Sequence, residues 1–242
     1  MAIIDRSGHD SREPPMKNLG TPILAEDLLL VLFQPDSGTI AGENTLYYVL
    51  AGAVLADLAL NESVTTTTRI GAASVEGIEG RAPSDEILRS AWNYASDNPG
   101  GIQTMLAAIG PTLRQPLLER LIARGEIREE NGKMLGLFKV TTLKDGGSGR
   151  RSGLIRDVRD VLMGSVEATP RVAALAALMW GSGTLPQFDP EIPWTSAVIT
   201  RAQELGRGNW SADVATQAVA RATAATIGII AATVPPRNNG LG

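Results

Sequence analysis

Leu24-Ala25-Glu26-Asp27-Leu28-Leu29-Leu30 and, after a turn, Leu50-Ala51-Gly52-Ala53-Val54-Leu55-Ala56-Asp57-Leu58-Ala59-Leu60 are the two stretches from which the fold is read. The first predicts a short apolar helix over Leu24 to Gln34, stopped by the turn residues Pro35-Asp36-Ser37-Gly38. The second predicts a helix running to about Leu60, with Asn44 as its cap. Leu46, Leu50, Val54 and Leu58 recur every fourth residue and so share one helical face.

Downstream, Ser63 to Ile70 is rich in threonine and valine and predicts a strand. Gly71, Gly77 and Gly80 mark a loop or a second strand. Asp85 and Glu86 after Pro83-Ser84 open a helix whose buried face holds Ile87, Leu88, Ala91, Trp92 and Ala95. Helices follow near Ile102 to Ile109 and Pro116 to Arg124, the second ended by Gly125. Glu126 to Arg128 and Leu135 to Thr142 then flank a polar turn at Asn131-Gly132, a strong hairpin dipeptide. Lys144 to Gly153 reads as a basic Gly/Ser-rich loop.

The C-terminal third is helical, with stripes from Leu154, Pro170 and Trp194. A last helix runs from the Ser211 cap to about Val234, apolar nearly all round and expected at the centre of the core. The fold class is mainly α: a single helical domain over residues 22–234, around a buried C-terminal helix, with one or two β-hairpins. Flexible tails are expected over residues 1–21 and 235–242.

Composition narrows the chemistry. The chain has 242 residues, 43% hydrophobic and 20% charged, enough for one substantial core and too ordered a mixture for global disorder. The formal net charge of -4 disfavours nucleic acid as a partner and leaves any attraction to anions to local patches. Cysteine is absent and His9 is the single histidine, so thiolate catalysis, disulfides and Cys/His zinc sites are excluded. Acid pairs such as Glu129-Glu130 and Asp157/Asp160 lack a partner base and read as exposed charge. The chain is therefore expected to be no enzyme and to need no cofactor or metal. The longest apolar runs, Leu28 to Phe33 and Ile227 to Ala232, are far short of a span. A cytoplasmic, at most peripherally membrane-associated protein is expected.

The two opening stretches resemble the start of the Golgi phosphoprotein 3-like family, in which an acidic-leucine helix precedes a second helix ending in Leu-x-Glu-Leu-Ala-Leu. Ala82-Pro83, Leu121-Ile122-Ala123-Arg124-Gly125-Glu126-Ile127, Leu137-Phe138-Lys139-Val140-Thr141-Thr142 and Leu154-Ile155-Arg156 continue the resemblance in order, over roughly residues 22 to 234. The Ala/Gly/Arg-rich composition suggests a bacterial member. The resemblance implies a helical fold that binds phosphatidylinositol 4-phosphate at a membrane surface, and eukaryotic members that act as adaptors for glycosyltransferase tails. The family's headgroup pocket, a tryptophan and three arginines, falls on Gly42, Ala51, Pro111 and Arg114, of which Arg114 alone keeps the family's residue.

The candidate contacts follow from residue chemistry. Met134, Leu135, Leu137 and Phe138 beside Lys133 and Lys139 place apolar groups among basic ones, as a peripheral protein gripping anionic lipid requires. Arg114 lies near a helix start, where free backbone N–H groups favour an anion. Arg150 and Arg151 are further headgroup candidates. The same apolar hairpin would serve a scaffold protein that forms a homo-oligomer through it. Helix, turn, helix and hairpin over residues 101–142 also follow the order of a DNA-binding winged helix, in which Arg120 and Arg124 would face the groove. Tyr47, Tyr48, Trp92, Trp180, Trp194 and Trp210 read as packing residues.

Overall fold

The computed structural model describes residues 19–69, 72–134, 138–209 and 214–233; of the tails expected over 1–21 and 235–242, residues 1–18 and 235–242 lie outside them. The described elements are mainly helical, with small antiparallel ribbons. Helix α1 (Leu24–Leu32) is buried along its whole length, and α2 (Leu46–Leu60) along nearly all of it. Neither helix has a polar face, because other elements cover α1 throughout and α2 everywhere but at Tyr47 and Leu60. Between them, β1 (Phe33–Gln34) and β2 (Thr39–Ile40) form a small ribbon around the expected turn at 35–38. Asn44 does not cap α2. Thr45 precedes the helix, and its hydroxyl donates backward to Gly42 O (3.0 Å) and to Ser182 O (3.2 Å), tying the start of α2 to the end of a later helix.

Strand β3 (Val64–Arg69) pairs antiparallel with β4 (Ala72–Gly77), which also takes β5 (Gly100–Gly101). Helix α3 (Glu86–Asp97) is capped by Asp85, whose carboxylate accepts from the Ile87 and Leu88 N–H groups at 2.9 and 3.1 Å. Its buried positions are Leu88, Ala91 and Ala95, with Ile87 and Trp92 half-buried beside them. After α4 (Ile102–Ile109) and a 3-10 turn at Gly110–Thr112, helix α5 (Arg114–Ala123) starts two residues before the expected point. Pro116 is accommodated there because N–H groups of the first turn have no helical acceptor. Gly125, at φ +70°, ends the helix as expected.

The second hairpin departs from its expected turn. Strand β6 (Ile127–Met134) pairs with β7 (Phe138–Asp145) from Ile127 opposite Asp145 to Met134 opposite Phe138. Asn131 and Gly132 lie inside the ladder, opposite Thr141 and Val140. A turn at Asn131-Gly132 would pair residues 127–130 with 133–136 and leave β7 without backbone partners. The full-length ladder overrides the local preference. Helix α6 (Arg150–Leu162) begins inside the expected Gly/Ser loop, so Arg150 and Arg151 sit on its first turn.

The remaining helices are α7 (Pro170–Gly181), α8 (Ser196–Gly206) and α9 (Val214–Thr233). Helix α9 lies against α2 so closely that a Cβ on Gly52 would come within 2.4 Å of Thr226 Cγ2. It buries one face (Val219, Ala222, Thr223, Thr226 and Ile230) and leaves Gln217, Arg221 and Ala231 to Thr233 exposed. The most enclosed of the described helices are thus α1 and α2, while the C-terminal helix is buried along one face. Alanine conceals that difference in sequence, because it is tolerated on either face.

Candidate functional site: a buried charge network, an open cleft and a projecting ribbon

Glu26, Asp27 and Asp57 lie in the apolar runs of α1 and α2, each with at most 4% of its surface exposed. Carboxylates so deep require partners. Four arginines supply them. Arg120 reaches Glu26 Oε1 (3.3 Å) and Asp85 Oδ2 (2.5 Å), and Arg124 Nε reaches Glu26 Oε2 (2.6 Å). Arg124 also donates to the carbonyls of Leu19 (2.9 Å) and Gly20 (3.0 Å), strapping the segment before α1 to α5. Arg150 pairs with Asp27 and, at 3.5 Å, with Glu126. Ser148 Oγ donates to Glu126 as well, and Gly146 N–H donates to Glu126 O, which ties the base of the β6–β7 ribbon into the same network.

Arg171, on the first turn of α7, bridges the two helices. It donates to Asp27 Oδ2 (2.5 Å), Asp57 Oδ1 (3.0 Å) and Pro22 O (2.9 Å). The other oxygen of Asp57 accepts from the Leu24 N–H. Burial raises Asp27 from its ordinary pKa, opposed by Arg171 and Arg150. Burial also pushes Asp57 up to about 7, against Arg171 and the Leu24 N–H, with the Asp27 charge adding to the rise.

This network backs onto an open cleft of about 1030 Å³ whose lining includes Pro22, Asp57, Arg81, Asp85, Arg120 and Arg171. The guanidinium groups on its walls are already paired, Arg81 with Glu62 at 2.8 Å. The acids of this network and Arg171 were not among the residues expected to be functional, whereas Arg150 was expected as a headgroup contact and Arg120 and Arg124 belonged to the winged-helix reading. The network's trace in the sequence is an acid inside an otherwise apolar helix, which has to find a cation in the fold.

The expected contact residues are spread over separate elements. Arg114 opens α5 and is exposed, its guanidinium 3.1 Å from Glu43 Oε1. Glu43 follows Gly42. The turn before α5 presses on α2, since a Cβ on Gly110 would come within 2.6 Å of Tyr47 O. Arg114 therefore stands beside the segment that leads into α2. Ala51 is fully buried and Pro111 exposed. Any phosphate taken by Arg114 has to displace the Glu43 carboxylate. Arg150 is engaged with Asp27 and Glu126, and Arg151 Nε donates to Phe33 O at 2.8 Å. Burial lowers the Arg151 pKa, opposed by Glu191, Asp145 and Asp36.

The β6–β7 register sets Lys133 opposite Lys139 and Met134 opposite Phe138, next to the connection. Leu135 and Leu137 lie outside the described residues, as do the side chains of residues 132–140. Arg120 and Arg124, the arginines of a winged-helix reading, are 12% and 14% exposed and held in internal ion pairs. Among the aromatic residues, Tyr48 is buried and Trp180 stacks on Trp194 at 6.3 Å. Tyr47 and Trp194 are more than a third exposed, and Trp210 lies outside the described residues.

These features define a class: a mainly helical protein whose first two helices carry buried acids braced by arginines, with a two-stranded ribbon projecting from the base of α5. The Golgi phosphoprotein 3 (GPP34) family profile matches residues 24–222, and the chain belongs to that family. A comparison with curated proteins gave no match. Among the described residues no helix is long and apolar enough to cross a membrane.

Proposed function

We propose that the chain is a non-enzymatic peripheral membrane module that takes anionic lipid through the end of the β6–β7 ribbon, with Arg114 as a headgroup contact. The observation that carries this reading is the register. Lys133 and Lys139 occupy directly opposed positions beside an apolar connection. Like charges across a strand pair destabilise it in isolation, and an anionic surface relieves that repulsion. Each basic residue near such a surface contributes about 1 kcal/mol, and each inserted apolar side chain roughly 1.5–3 kcal/mol. A few of each give reversible binding. Membership of the family supports the choice of lipid as partner. Phosphatidylinositol 4-phosphate is the headgroup that the resemblance implies, although Gly42, Ala51 and Pro111 offer none of its other ligands.

Self-association is a second reading. In the described residues β6 and β7 form a two-stranded sheet with outer edges that no other strand covers, and such edges accept a strand from another copy. Liposome co-sedimentation of the wild type, Leu137→Asp/Phe138→Asp and Arg114→Ala separates the two. Loss of pelleting in the double variant supports insertion of the ribbon end. Wild-type protein that pellets with no vesicle but sediments as a dimer or larger species favours self-association.

A further inference from the structure

We infer that the β1–β2 turn is a buttress for the β6–β7 ribbon, with Gly38 and Arg151 as positioning residues that hold the ribbon at one angle to the helical body. The first ground is the root of the ribbon, which has no slack. Gly125 ends α5, and β6 begins at Ile127, itself buried. On the other strand's side, Gly146 N–H donates to Glu126 O at 2.9 Å, and a Cβ on Gly146 would lie 1.8 Å from Gly125 O. The chain thus leaves β7 pressed against the end of α5, where Ser148 and Arg150 hold the Glu126 carboxylate. Such a root fixes where the ribbon starts. Its tilt needs a second support higher up.

The second ground is that support. A Cβ on Gly38 would lie 2.8 Å from Leu143 O and 3.6 Å from Leu143 N, so the turn meets the backbone of β7 directly. The Leu143 side chain packs on the core. The turn itself is firmly seated. It follows α1 through the fully buried Phe33, closes with Gly38 N–H on Gln34 O at 2.8 Å, and is backed by Ala41 N–H on Leu32 O at 2.8 Å. A backbone-on-backbone approach of this kind needs glycine, and no change of rotamer can relieve a side chain placed there.

The third ground is the tie between turn and root. Arg151, on the first turn of α6, donates from Nε to Phe33 O at 2.8 Å. The carboxylates of Glu191, of Asp145 at the ribbon root and of Asp36 in the turn all attract its guanidinium. One side chain thus holds the turn and the root to the same helix. The geometry also gives leverage. At about 3.3 Å per residue, Leu143 stands roughly 10 Å above Gly146 and Phe138 roughly 26 Å, so a displacement at Leu143 grows about 2.6-fold at the ribbon end. The consequence for lipid contact rests on the function proposed above, whereas the angle itself does not.

The chain has no cysteine, so paired cysteine substitutions carry spin labels at chosen sites. Double electron–electron resonance on the full chain without lipid reads the angle. Thr141→Cys on the ribbon with Thr200→Cys on α8 reports the ribbon, and Ser90→Cys on α3 with Thr200→Cys reports the body, all at exposed positions. The ribbon distance distribution should be as narrow as that of the body pair. Gly38→Asn adds the Cβ in a residue type that tolerates positive φ, and should shift the mean ribbon distance by about 1 Å. Arg151→Met keeps the stem, loses the tie to Phe33 O and should widen the distribution. Neither should alter the body pair. With anionic vesicles that pellet the wild type, both variants should pellet several-fold less, although the ribbon end and Arg114 are intact. A ribbon distribution broader than the body pair before any substitution, or one that neither variant changes, would overturn the buttress. Unchanged pelleting despite a shifted ribbon would overturn its link to lipid contact. If the wild type pellets with no vesicle while the distances behave as stated, the lipid reading fails and the buttress stands.

Discussion

Buried Asp57 pairs with Arg171 at the junction of α2 and α7. Arg171 satisfies two buried carboxylates and a carbonyl at once. Replacing it by methionine keeps the stem and strands the acids, so Arg171→Met should cost about 3–5 kcal/mol in urea unfolding at pH 7.5. The loss should be smaller at pH 5, where Asp57 is neutral. For the wild type the sign follows from the raised folded pKa of Asp57. The folded state holds a proton that the unfolded chain releases above about pH 4. This contribution to stability is therefore greatest in acid and falls as pH rises towards 7. Asp57→Asn should remove that slope from the melting temperature measured between pH 5 and 8. Packing is equally local at Gly52. Thr226 Oγ1 is bound to Ala222 O at 2.9 Å, which resists rotation away from an added methyl group. Gly52→Ala should destabilise by about 1–3 kcal/mol.

Elements differ in how clearly the sequence announces them. Helix α3 was legible because its opening acids and apolar stripe agree, and the structure shows that Asp85 both caps it and pairs with Arg120. Asp85→Ala should therefore lower stability by about 1–3 kcal/mol by removing a cap and one of Arg120's two acids. The β6–β7 ribbon was legible as a hairpin but not in its register. Asn131-Gly132 is a strong turn dipeptide whose preference lost to a ladder running to Met134 and Phe138. The register matters for the proposed function, because only the observed one sets Lys133 against Lys139. Arg150 and Arg151 read as loop residues because Gly and Ser dominate Lys144 to Gly153, yet Gly149 at φ +77° simply turns the chain into α6. Their binding partners were invisible from local sequence, since Asp27 and Phe33 lie more than a hundred residues away.

At the scale of the whole molecule, the mainly helical class and the family were readable from the two opening stretches, and the family profile spans residues 24–222. The identity of the most enclosed helices was not, because α9 like α2 is rich in small apolar residues and burial is decided by what packs around them. The charge network was also hidden, since pairing of Glu26, Asp27 and Asp57 with arginines from α5, α6 and α7 is a tertiary property. The net charge of -4 makes the ribbon end and Arg114 local exceptions on an acidic chain, so lipid contact should be confined to one orientation and weakened by salt. Lys133→Glu/Lys139→Glu should abolish such contact while leaving the melting temperature within a few degrees of the wild type. The most direct test is co-sedimentation of the wild-type chain with neutral vesicles, with vesicles containing phosphatidylserine, and with vesicles containing phosphatidylinositol 4-phosphate. Pelleting with the anionic vesicles and not with the neutral ones is the predicted result, and protein that stays in the supernatant with all three would contradict the account.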